Sequence, residues 1–96
     1  MTTAYEIASH IRSRHEFSGE IQMHKLLYYA QAWSLAWDGV PLFDDRIEAW
    51  KNGPVVPSLR HTTVMADEDV RLTDQQKANI DAVLAHYADN SGTALG

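Results

Sequence analysis

The 96-residue chain has room for one hydrophobic core, and 45% hydrophobic with 22% charged residues is the balance of a globular domain. It contains no cysteine, which excludes disulfide scaffolds, zinc–thiolate sites, iron–sulfur clusters and thiol nucleophiles. Eight Lys and Arg against 13 Asp and Glu give a net charge of −5 without a basic run, so counterion-driven binding to nucleic acid or to an anionic membrane surface is disfavoured.

No apolar run reaches the roughly 18 residues needed to cross a bilayer, and the N-terminus lacks the basic start and apolar stretch of a secretory signal. The expectation is an acidic cytoplasmic domain with no direct nucleic-acid or membrane partner. Thr3-Ala4-Tyr5-Glu6 fits a capping box, and Ala4, Ile7, Ala8 and Ile11 follow at helical spacing, predicting a helix over 4–14. Ser18 is offered as the cap of a second helix running through Trp37, free of Gly and Pro. Met23, Leu26, Leu27, Ala30, Trp33 and Trp37 make its core stripe, while Tyr28, Tyr29, Leu35 and Ala36 fill most of the remaining circumference. A helix apolar nearly all round is either central to the core or has a second face that meets something else. Asp38-Gly39 ends it, with Gly39 suited to the left-handed cap.

Pro41, Gly53, Pro54 and Pro57 break up any helix across 40–57. Leu42-Phe43 and Ile47–Trp50 read as extended pieces, Asn52-Gly53 as a turn, and Pro57 as the first turn of a short helix. Val70 and Leu72 alternate with Arg71, predicting another short strand. Thr73-Asp74-Gln75-Gln76 is a second capping box. It opens a helix striped by Ile80, Val83, Leu84 and Tyr87 that stops near Asp89-Asn90. The fold class is therefore α+β and mostly helical, with three main helices, a short helix near 57–62 and strands near 46–50 and 70–72. Residues 1–90 form the domain, and 91–96 read as a tail or the start of a further helix.

The histidines His10, His15, His24, His61 and His86 contain no pair at the i, i+4 spacing of a helical metal site, and no HExxH occurs. Asp44-Asp45, Glu48 and Lys51 fall outside the acidic-x-Lys spacing of magnesium nucleases, so a solvated turn is the plainer reading. Phosphate loops and nucleophile elbows are absent as well. No metal, cofactor or catalytic set is expected.

Aromatic residues remain. Leu26, Leu27, Trp33 and Trp37 share the periodic stripe and are expected in the core. Tyr28 and Tyr29 are adjacent and point about 100° apart on a helix, so at least one lies near the surface. Trp50 reads equally as core or interface. For Gly53–Pro57 a rigid core-closing loop stands beside an interface loop, with Gly53 and Pro57 structural.

Three segments together resemble the Panacea antitoxin domain, a family of SocA-like antitoxins and phage-associated proteins: Lys25–Trp33, Gly39–Asp45 and Ile47–Pro57. The resemblance runs over about residues 4–90, and its specific block is Lys25 to Pro57. It implies a helical or α+β domain that neutralises a neighbouring toxin by direct binding. One branch of the family delivers its toxin to a Clp-type protease, which makes such a protease an alternative partner. Relatives usually continue past the last helix, so a lost covering element would expose an apolar patch, and self-association is expected.

The leading expectation is thus a non-catalytic, phage- or prophage-associated antitoxin acting on a cognate toxin. Tyr28, Tyr29, Trp50, Lys51, Asn52, Pro54 and Val55 are its candidate partner-binding residues. Its acidic balance suits a basic toxin surface. A protease adaptor or a phage-encoded inhibitor of a host protein stands second, and an enzyme with distributed residues third. A DNA-binding regulator comes last, because the second helix carries only Lys25 as a basic residue.

Overall fold

Both capping boxes form. In the computed structural model, which describes residues 2–15, 19–51, 53–67 and 70–87, helix α1 spans Ala4–Arg14. The Glu6 amide donates to Thr3 Oγ1 at 3.2 Å and the Thr3 amide to Glu6 Oε1 at 3.0 Å. Helix α3 spans Asp74–Tyr87, where the Gln76 amide donates to Thr73 Oγ1 and the Thr73 amide to Gln76 Oε1. Each box satisfies two backbone donors that a helix start leaves unpaired.

Helix α2, Glu20–Asp38, is the longest element. It begins at Gly19 without a side-chain cap, and Ser18 lies outside the described residues. Gly39 ends it in the left-handed conformation at φ 71°, its amide donating to the Leu35 carbonyl, the geometry that glycine adopts at least cost. Met23, Leu26, Leu27 and Ala30 are buried against Ala4, Ile7, Ala8 and Ile11 of α1 and Ile80 and Val83 of α3. Burying a side chain of that size contributes about 1.5–3 kcal/mol. Leu26 and Leu27 are thus in the core as expected.

The extended stretch after α2 is held by side chains. Gln31 accepts the Leu42 and Phe43 amides at 2.7 and 3.2 Å and donates to the Phe43 carbonyl at 2.9 Å. This pins buried Leu42 and Phe43 to the helix with no strand partner. Asp45 then joins two distant parts of the chain, accepting from the Ala4 amide and from the Ser58 hydroxyl. Burial alone raises its pKa, but these two hydrogen bonds outweigh that and hold the carboxyl below its ordinary value. Its role there is to tie the start of α1 to the chain beyond the hairpin.

Strands β1, Glu48–Trp50, and β2, Gly53–Val55, make one antiparallel hairpin, with Glu48 opposite Val55, Ala49 opposite Pro54 and Trp50 opposite Gly53. A 3-10 turn at Pro57–Leu59 follows. The fold class is confirmed, with one correction. The expected strand at 70–72 does not form; the Leu72 amide donates to the Val70 carbonyl at 3.0 Å, closing a tight turn. β1 finds its partner three residues away instead, which costs far less loop-closure entropy than a strand twenty residues on.

Trp37 also departs from expectation. It is 70% exposed and stacks on Trp33, ring centroids 5.1 Å apart. Trp33 itself is half-buried against the core and His86. Trp37 keeps helical phase with the core, but in this last turn of α2 it is Asp38 that meets α3, accepting from Asn79, and the Trp37 ring lies outside over Trp33.

Candidate partner-binding site

Four of the predicted partner-binding residues meet around one open cleft. Trp50, Lys51, Pro54 and Val55 line it with Glu20, Ile21, His24 and Arg60, enclosing about 310 Å³. Asn52 lies outside the described residues.

The cleft exists because the hairpin is held beside α2 by the residue that follows it. Pro54 has no amide proton to give a ladder and is paired with Ala49 at the hairpin's centre. Gly53 has φ 121°, a conformation side chains strongly disfavour, and it lies against the Lys25 stem. One residue past the hairpin, the Val56 amide donates to His24 Nδ1 at 3.0 Å in a buried contact. Nδ1 therefore carries no proton, and Nε2–H donates to Glu20 Oε1 at 3.2 Å. Glu20 also accepts the His61 amide, and its pKa is lowered, first by the His24 hydrogen bond and then by that of His61. His61 itself sits at φ 62°, in the left-handed region. A chain of contacts thus runs from Val56 through His24 and Glu20 to His61, clamping the residues on both sides of the 3-10 turn to the first turns of α2.

The walls are equally fixed. The Arg60 guanidinium lies 4.4 Å from the Trp50 ring centroid, a cation–π contact. The Trp50 indole N–H donates to Glu48 Oε1 at 2.8 Å, and Glu48 Oε2 pairs with Arg46 at 2.9 Å. Trp50 remains 38% exposed and Ile21 50%. The cleft therefore presents an aromatic edge, three apolar side chains and two cations.

Neither ring nitrogen of His24 is available as a base or a ligand, because each already has a partner. Among the described residues no three His, Asp or Glu side chains converge as a metal site. The Asp44, Asp45, Glu48 and Lys51 run is dispersed: Asp45 faces Ala4 and Ser58, and Glu48 faces Trp50 and Arg46.

The tyrosines stand apart from the cleft. Tyr28 is 45% exposed on α2 and meets Tyr29 edge-on at 5.5 Å. Tyr29 is half-buried and stacks on Tyr87 at 4.4 Å, joining α2 to α3. Sequence reading did not single out Glu20, Ile21, His24 or Arg60. The i, i+4 spacing of Glu20 and His24 on a predicted helix was the one local signal; nothing local marks Arg60.

The structure is a small helical scaffold that presents a clamped hairpin, with His24 and Glu20 already paired and the apolar edges of the cleft open. The sequence pattern of the antitoxin SocA-like Panacea domain matches residues 23–96, and the chain belongs to that family. No curated protein and no solved structure matches it. The match covers most of α2, the hairpin and α3, and so contains the cleft apart from Glu20 and Ile21. None of the helices among the described residues is long and apolar enough to cross a membrane.

Proposed function

We propose that this chain is the antitoxin of a toxin–antitoxin pair and neutralises its cognate toxin by direct, non-catalytic binding in the cytoplasm. Its family is antitoxin-like, and the observation that carries the binding mode is the cleft in which Trp50, Lys51, Pro54 and Val55 converge. Buried aromatic and Arg anchors supply most of the energy in protein interfaces, and Trp50 stacked with Arg60 is such a pair. Tyr28, exposed on the same helix that carries Glu20, Ile21 and His24, is a second contact.

The test is co-expression with the product of the adjacent gene. The wild-type chain restores growth and co-purifies with the toxin. A Trp50→Ala, Val55→Ser double variant that remains folded loses both. Full rescue by that variant refutes the cleft as the binding surface; failure of the wild-type chain refutes the antitoxin reading. If the toxin vanishes only in cells with an intact Clp-type protease, the chain is an adaptor. Phage or prophage origin is read from the flanking genes.

Self-association belongs to the same reading. Leu35, Trp37 and Val40 are 49, 70 and 55% exposed near the end of α2, apolar surface that a second copy covers. Sedimentation at high concentration shows a dimer if this holds and a monomer if it does not.

A further inference from the structure

We infer that the hairpin cleft takes a partner segment in which a carboxylate sits beside an apolar side chain. This rests on the partner-binding reading above and adds the chemistry of what is bound. The chain as a whole is acidic, at −5, yet two cations, Lys51 and Arg60, stand on this one cleft. Neither forms an ion pair with a described residue. Arg60 is held by its face on Trp50, and its Nε–H is directed at His61 Nε2 at 3.2 Å. Its terminal amino groups meet no acceptor among the described residues. Glu20, the one carboxylate lining the cleft among the described residues, already accepts from His24 and from the His61 amide.

The apolar half is supplied by Ile21, Pro54, Val55 and the exposed edge of Trp50. A volume of about 310 Å³ holds one or two side chains rather than a folded element. The occupant is therefore an anchor within a larger contact, in the manner of an interface hot spot. A carboxylate carried on a peptide suits the site better than free phosphate, because Ile21, Pro54, Val55 and Trp50 form an apolar half that phosphate leaves uncovered. A local basic cleft on an acidic body also gives the encounter a fixed polarity. The partner's acidic anchor docks here, while its basic surface, where it has one, meets the rest of the chain.

The experiment titrates the full chain with three probes and follows the Trp50 indole and neighbouring amide signals by NMR. The probes are N-acetyl-Gly-Glu-Leu-Gly-amide, the same peptide with Gln for Glu, and inorganic phosphate. The Glu peptide shifts the cleft signals in a saturable way at millimolar concentration, and the Gln peptide binds about tenfold more weakly, as expected when a charge-assisted bond to Arg becomes a neutral one. A Lys51→Gln, Arg60→Gln double variant changes exposed side chains, so it stays folded, and it loses the Glu-over-Gln preference. Ile21→Ser weakens both peptides and leaves the preference intact. Equal binding of the two peptides, absence of binding by the Glu peptide, a preference that survives in the double variant, or phosphate binding more tightly than the Glu peptide each overturns the inference. In co-expression, a double variant that still neutralises fully also overturns it. A wild-type chain that discriminates between the peptides but fails to neutralise refutes only the antitoxin reading.

Discussion

The helical layer and the hairpin are built on different physics. Between α1, α2 and α3 the contacts are apolar and deep: Ile7, Ile11, Leu26, Leu27 and Ile80 are fully buried. The hairpin has only three residues in each strand, all at least partly exposed, and an isolated two-stranded hairpin is barely stable in water. It keeps its place because the chain on both sides is anchored: Ile47 packs on the core, Val56 and Leu59 are buried in it, the Val56 amide reaches His24, and Asp45 ties Ser58 to the start of α1. Burial within the layer gives the first region its stability, and the second is placed by the buried and hydrogen-bonded residues that flank it. A surface meant to bind can be varied without unfolding the scaffold only when the two are separated in this way.

Substitutions separate the two regions, the deepest first. Leu26→Ala removes a fully buried side chain from the helical layer and costs about 2–5 kcal/mol, read by chemical denaturation as a lower midpoint with unchanged slope. His24→Leu leaves the buried Val56 amide without an acceptor, a loss of about 1–3 kcal/mol. Its larger signature is fast hydrogen exchange at Val56 while core amides of α1 stay protected. His24→Asn, whose carbonyl oxygen stands near the position of Nδ1, restores part of that protection. If His24→Leu lowers protection equally everywhere, the hairpin is not a separate unit. Gly53→Ala forces a Cβ into a φ of 121° and costs about 1–2 kcal/mol, with loss of cleft binding exceeding the loss of global stability.

Acid distinguishes the regions by where each begins to fail. His10 is buried in α1 with its Nε2 4.0 Å from Asp81. Desolvation first, then Arg14 and Lys77, hold its pKa below the ordinary 6.5, with Asp81 opposing. The unfolded chain therefore binds the proton more readily. This contribution is fully present above about pH 6.5 and is lost as pH falls through 6.5 toward the lowered folded value. Asp45 and Glu20 have ordinary values of 3.8 and 4.5 and are lowered in the folded state, so their contribution disappears only at still lower pH. Denaturation midpoints measured from pH 7.5 down to 5 fall for the wild-type chain and stay flatter for His10→Leu. A parallel fall in both removes His10 as the cause. The smallest effect on stability is that of Tyr28→Ala, within about 0.5 kcal/mol for an exposed position. A measurable loss of toxin binding in that variant extends the interface along α2; none confines it to the cleft.

What the sequence determined by itself is local. Both capping boxes, the three helices and the turn before Gly53 depend on residues within a few positions of one another, so spacing alone exposes them. The family block from Lys25 to Pro57 was legible for the same reason, as a continuous run. Tertiary structure decided the rest. Val70–Leu72 has strand-like alternation but pairs with no strand among the described residues, and Trp37 has core phase but is left exposed over Trp33. The cleft draws Glu20 and His24 from the start of α2 and Arg60 from beyond the 3-10 turn. These meet because the chain after the hairpin returns to α2, with Val56 and Leu59 buried in the core and the Val56 amide bonded to His24, 32 positions away in the chain. Periodicity reports which way a side chain points, and only the folded chain supplies what it points at.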